Sequence, residues 1–128
     1  MGDCGVCIGG DGDGEYCSFS NVVFPKARKP HKCYECGREI AKGSEYEKYT
    51  GVFDGSFFEH KTCMDCRNIR LGLSCNNSIE FGRLWEEIYY IFPEVTTGCL
   101  QRIKTPSAKA YFIERWNEWK FKKINHSN

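Results

Sequence analysis

Six of the nine cysteines fall in three pairs of one spacing: Cys4-Gly5-Val6-Cys7, Cys33-Tyr34-Glu35-Cys36 and Cys63-Met64-Asp65-Cys66. Two intervening residues let the backbone fold into a knuckle that turns both thiolates toward one ion. Zinc takes four such ligands at tetrahedral corners, about 2.3 Å from each sulfur. Cys33, Cys36, Cys63 and Cys66 make a complete, closed set, so the expected site is structural rather than catalytic. His31 or His60 could replace one thiolate, but neither is needed. Gly37 follows the second thiolate and permits the left-handed backbone that a knuckle often needs. A Cys-x-x-Cys redox site would call for a βαβ context, which this sequence lacks.

Five cysteines remain. Cys4 and Cys7 have knuckle spacing and point to a second metal site. Cys75, in a polar loop, is the expected third ligand, and Cys17 or Cys99 the fourth. The plain alternative for Cys17 and Cys99 is a small buried hydrophobe, which suits Cys99 beside Leu100. Disulfides fit less well than metal: nine is an odd count, and the acidic, Gly-rich opening does not resemble a secretory signal. The expected compartment is therefore a reducing cytoplasm. No stretch approaches the ~20 apolar residues of a membrane span, so no membrane partner is expected.

The elements that must position these thiols can be read around them. The 26 residues between Cys36 and Cys63 hold Glu45–Phe53, Asp54-Gly55 and Ser56–His60, a strong hairpin signal. The second pair opens a helix predicted to start at Cys63 and run to Leu73, with Gly72 weakening its end. A helix N-terminus favours the thiolate form of cysteines in its first turn. Knuckle, hairpin and ligand-bearing helix are in treble-clef order. Tyr16–Phe24 can supply a further short strand.

Downstream, Ser78 is the expected N-cap of a second helix through Phe92, stopped by Pro93. Phe81, Leu84, Trp85, Ile88 and Phe92 follow a helical rhythm. Thr105-Pro106 opens a third helix as N-cap and N1, with Ala108, Phe112, Trp116 and Trp119 on one stripe. Both stripes read first as packing surfaces against the metal module and second as a face for a partner. The fold class is thus α+β: a small zinc-centred, treble-clef-like domain with two C-terminal helices packed on it. One domain spans 1–128, comprising an arm (1–25), the zinc module (26–75) and the helices (76–128).

Composition narrows the function. With 18 basic and 17 acidic residues the formal charge is +1. A zinc ion on four thiolates adds about −2, so one site takes the chain to about −1 and two to about −3. That is not the balance of a general nucleic-acid binder. A local basic patch nonetheless exists in Lys26, Arg28, Lys29 and Lys32, to which Arg67 and Arg70 and a basic last helix could add. Asp11-Gly12-Asp13-Gly14-Glu15 lacks the glycine and closing glutamate of a calcium loop. No nucleophile elbow, Walker loop or His-Glu-x-x-His is present, so no enzymatic activity is expected.

The run Lys26–Cys33, continued by Glu35-Cys36-Gly37, resembles a motif of small zinc-knuckle proteins encoded by bacteriophages and prophages. Asp54-Gly55, Thr62-Cys63 with Cys66, Leu84-Trp85-Glu86 and the closing Trp116 and Trp119 are similar too. The resemblance implies a bacterial cytoplasm and a phage accessory gene, but no particular activity. The expected function is a non-catalytic interaction module that binds or inhibits a host protein. The alternative is zinc-dependent nucleic-acid binding through the strap 26–32 and the last helix.

Overall fold

The computed structural model describes residues 4–5, 8, 19–74 and 82–125. Cys7, Cys17, Cys75, the Asp11–Glu15 loop, Ser78 and Phe81 lie outside the described residues.

The chain is α+β. A three-stranded antiparallel sheet has the order β1 (Phe19–Val23), β4 (Tyr46–Phe53), β5 (Ser56–Cys63). A separate two-stranded ribbon, β2 (His31–Lys32) with β3 (Glu39–Ile40), carries the first cysteine knuckle between its strands. β4 and β5 pair along their full length, from Tyr46 opposite Cys63 to Phe53 opposite Ser56. The turn between them is Asp54-Gly55 with φ of 51° and 79°. Two successive left-handed residues match the twist of a two-residue hairpin, which is why Asp-Gly serves there.

β5 runs directly into α1 (Met64–Leu73), with Cys63 as its N-cap. Its buried face carries Cys66, Ile69 and Leu73. Gly72 is not a weak end but a point of close approach. A Cβ built there would stand 2.5 Å from the carbonyl oxygen of Arg102, so only glycine lets the helix and that backbone meet.

The second helix is shorter than its sequence rhythm implies. A turn at Gly82, with φ of 89°, precedes α2 (Leu84–Ile91), and Arg83 occupies the N-cap without a side-chain hydrogen bond. The described helix therefore starts at Leu84. It passes into a 3-10 turn, Phe92–Glu94, where Pro93 sits. A four-residue helix, α3 (Thr97–Leu100), was not legible in the sequence. α4 (Pro106–Asn125) opens as expected: the Thr105 hydroxyl accepts from Ala108 N–H at 3.4 Å and its carbonyl from Lys109 N–H at 3.0 Å.

The core lies where α1, α2 and α4 meet beneath the hairpin. Ile69, Leu73, Ile88, Phe92, Ile103 and Phe112 are each almost wholly buried. Phe92 contacts Phe112 and Trp119 through its ring, at centroid distances of 5.7 and 5.4 Å. Trp116 and Trp119 are partly buried against this cluster, so the aromatic stripe of α4 is chiefly a packing surface. Among the described residues no helix is long and apolar enough to cross a membrane.

Candidate metal centre

The knuckle between β2 and β3 is closed by local hydrogen bonds. Cys33 N–H donates to the Arg38 carbonyl at 2.9 Å and Gly37 N–H to the Cys33 carbonyl at 3.0 Å. Gly37 adopts φ of 77°, as its place after the second thiolate predicts. The hairpin then carries the chain across to Cys63 and Cys66 at the head of α1. Cys33, Cys36, Cys63 and Cys66 converge with all four sulfurs within 4.8 Å of one another. Corners of a tetrahedron with 2.3 Å arms are about 3.8 Å apart, and Cys36 Sγ stands 3.9 Å from Cys63 Sγ. Four cysteines in this arrangement could hold a metal ion.

Each sulfur also faces an N–H. Cys33 Sγ accepts from the backbone of Cys36 at 3.5 Å and of Cys63 at 3.3 Å. Cys36 Sγ accepts from Arg38 N–H at 3.5 Å, and Cys63 Sγ from Cys66 N–H at 3.4 Å. Cys66 Sγ, wholly buried, accepts from the indole Nε1 of Trp85 at 3.3 Å. Donors aimed at sulfur spread thiolate charge, so they suit the ligated form of every cysteine in the set.

Four thiols packed together cannot all ionise without a cation. The contact with Cys33, first, and those with Cys63 and Cys66 pull Cys36 far below the ordinary thiol range. The contacts with Cys33, Cys36 and Cys63, reinforced by burial, push Cys66 far above it. A bound divalent cation removes that conflict, because it compensates all the thiolates together.

The surrounding shell ties the cluster to the C-terminal helices. Arg38 reaches from the knuckle to Asp65 at 3.1 Å and toward Cys63 Sγ at 3.8 Å. Its guanidinium also lies 3.4 Å from the centroid of the Tyr111 ring. Burial works against the charge on Arg38, but the hydrogen bonds to Cys36 and Asp65 outweigh it and raise its pKa. Asp65 accepts a second bond from Ser107 Oγ at 2.6 Å. Arg115 lies over the Trp85 ring at 4.1 Å and donates to the hydroxyls of Tyr111 and Tyr89 at 3.1 and 2.9 Å. Burial first, and then the Cys36 charge, push the Tyr111 phenol up to about 12.

None of these roles for Arg38, Asp65 or Trp85 was read from the sequence. An arginine two residues beyond the knuckle was the only local signal. Glu35, inside the knuckle, was missed too. Its carboxylate accepts from the backbone N–H of Gly82 at 2.9 Å and of Leu84 at 3.1 Å, so it caps α2 from outside the helix. An acidic group suits that N-terminus.

The other candidate residues are distributed as follows. Cys4 lies apart from the four-cysteine cluster, its sulfur joined to that of Cys99, one of the two residues expected to complete a second site. His31 packs against Tyr46 and His60 against Tyr34, so neither histidine joins the cluster. Lys26, Arg28 and Lys29 line an open cavity of about 690 Å³ with Lys48 and Lys61 from the sheet. Lys32 is not part of its lining. Arg70 does not join the basic patch: it is buried and paired with Glu47 at 2.6 Å. Arg67 is drawn to the same carboxylate at 3.5 Å. Both guanidinium groups of α1 are thus engaged by Glu47, and that of Arg67 also lies 4.6 Å from the centroid of the Phe24 ring. No family model, curated protein or solved structure matches the chain.

Proposed function

We propose that the four-cysteine cluster is a structural zinc site in a treble-clef-like module, and that the protein is a non-catalytic interaction module. The observation that carries the metal reading is the closed set of four sulfurs, each facing an N–H donor. A set with no open corner offers no place for substrate, which is the mark of a structural rather than a catalytic zinc. The likeness of the Lys26–Gly37 segment to phage and prophage zinc-knuckle proteins supports a phage accessory gene and a bacterial cytoplasm, and a host protein is the partner proposed for such a module. Tyr90, Phe57 and Phe121 are 88%, 69% and 65% exposed and supply apolar contact area for such a partner.

Metal analysis with circular dichroism in chelator tests the site. Structural zinc supplies roughly 10–16 kcal/mol of apparent binding energy in finger peptides, as large as a domain's net stability. Zinc should therefore be retained through purification, and its removal should unfold the module. Metal-free protein with an unchanged spectrum in chelator would sink the reading. Affinity capture from bacterial lysate, repeated with zinc-stripped protein, tests the interaction. Recovery of chaperones alone from several hosts would count against it.

One observation favours nucleic acid as a second reading. Lys26, Arg28, Lys29, Lys48 and Lys61 gather around one cavity with Glu59 as the single carboxylate in its lining. Burial first, then the Lys61 and Lys29 charges, hold the His31 pKa below the ordinary imidazole value. Phosphate binding there must weaken steeply with salt through counterion release. Glutamate at Lys26, Arg28 and Lys29 should abolish a gel shift and leave zinc in place. No gel shift at low salt, or one unchanged by the charge reversal, removes this reading.

A further inference from the structure

The strap that carries Lys26, Arg28 and Lys29 is held in place by its backbone. Ala27 is buried; its N–H donates to the Ser44 carbonyl at 2.9 Å and its carbonyl accepts from Gly43 N–H at 2.8 Å. The Pro25 carbonyl accepts from Tyr46 N–H at 3.1 Å, which ties the strap to the start of β4. Lys26 and Arg28 flank the buried Ala27 and are themselves exposed. Cations on a backbone fixed in this way lose less freedom on binding than those of a loose tail.

The facing wall of the cavity is the hairpin. Lys48 on β4 and Lys61 on β5 are direct cross-strand partners, a register that sets like charges on Cβ atoms about 4.5–5.5 Å apart and costs stability. Glu59, two residues before Lys61 and so on the same face, offsets part of that cost. Its carboxylate meets Lys61 at 2.7 Å and Lys48 at 3.4 Å. The strap then brings three more cations to the same cavity and, among the described residues, no further carboxylate. Repulsion concentrated in this way is relieved by an anion that several of the cations share.

The cavity's volume of about 690 Å³ is that of a small-molecule site, roughly 300–1,000 Å³. A nucleic-acid backbone spreads its charge along its length, whereas linked phosphates gather several charges at one point. We propose that this cavity binds the linked phosphates of a compact polyphosphate, either the tail of a free nucleoside triphosphate or an inorganic chain. Lys48 and Lys61 hold the phosphates from the sheet, and Lys26, Arg28 and Lys29 close on them from the strap. This goes beyond the nucleic-acid reading, because it uses the same cations and needs no strand. None of the four clustered cysteines lines the cavity, so the inference does not depend on the metal reading.

An NMR titration of the full-length, 15N-labelled protein at low salt tests this. The probes are ATP, inorganic tripolyphosphate, orthophosphate and a single-stranded oligonucleotide without terminal phosphates. ATP and tripolyphosphate should each shift the amides of 26–31, 48 and 59–61 along one saturable isotherm, and orthophosphate should bind far more weakly. Equal affinity for the two polyphosphates assigns recognition to the phosphates alone, and tighter binding of ATP adds a contact with the nucleoside; both support the site. Lys48→Gln and Arg28→Gln should each weaken ATP binding about fivefold, on the order of one screened charge contact. Lys32→Gln, outside the lining, should leave it largely unchanged. Glu59→Gln should tighten it by a similar factor, a gain that a misfolded variant cannot produce. No shifts with ATP, shifts away from the cavity, or binding that neither charge loss weakens overturns the proposal. So does an affinity for orthophosphate equal to that for ATP. An oligonucleotide that binds as tightly as ATP overturns it too and returns the cavity to the nucleic-acid reading. ATP binding with a silent oligonucleotide removes that reading and keeps this one.

Discussion

The indole N–H of Trp85 donates to the sulfur of Cys66 across 3.3 Å, with both side chains shut off from solvent. Trp85 stands on α2 and Cys66 in the first turn of α1, so one hydrogen bond joins the four-cysteine cluster to a helix that contributes no cysteine to it. The Trp85 ring also meets Tyr111 edge-on at 5.3 Å and stacks with Phe112 at 6.4 Å. The cysteine cluster and the helical core are thereby in direct contact through Trp85.

Replacing Trp85 with Phe keeps most of the ring and removes the donor. A buried sulfur left without its N–H should lower metal affinity by roughly 10–100-fold, the usual cost of losing such a supporting bond. Competition with a chromophoric chelator would measure it. An unchanged affinity would show that the indole contributes packing alone.

Glu35→Gln tests whether the knuckle caps α2. The amide can accept one of the two N–H groups now held at Gly82 and Leu84, and it carries no charge toward the helix dipole. A stability loss of about 1 kcal/mol is expected for Gln, and more for Ala. Urea unfolding would read both, and the zinc content should not change.

Gly72→Ala should be among the more damaging small substitutions. The added Cβ meets backbone atoms of Arg102, the nearest at 2.5 Å, which cannot rotate away as a side-chain tip would. Overpacking of this kind costs roughly 1–3 kcal/mol. The midpoint in denaturant should fall with the slope unchanged; an equal or higher midpoint would mean that the helix and the Arg102 segment are free to separate.

Glu47 and Arg70 form a buried ion pair of 2.6 Å. Glu47→Gln leaves a buried guanidinium without its counter-charge, and roughly 3–5 kcal/mol should be lost. The double exchange Glu47→Met with Arg70→Met removes both charges and should recover most of that loss. Failure to recover it would assign the cost to other contacts of Glu47, such as that with Arg67.

What the sequence determined by itself is the local chemistry. Cys-x-x-Cys spacing, Gly37, Asp54-Gly55 and Thr105-Pro106 each specify a knuckle, turn or cap within a few residues, because backbone sterics and short loops act over that range. The four-cysteine cluster Cys33, Cys36, Cys63 and Cys66 could be named for the same reason, since each pair is held by its own turn. Only the tertiary structure decided what surrounds it. Trp85 is 19 positions from Cys66, and Glu35 is 49 from Leu84. Arg102 is 98 from Cys4. Such partners carry no mark in the sequence, because an indole or a guanidinium becomes a sulfur donor only when packing delivers it. Arg70 makes the same point in reverse. On paper it adds to a basic patch, but one face of α1 turns it inward to Glu47, and burial rather than composition sets its role.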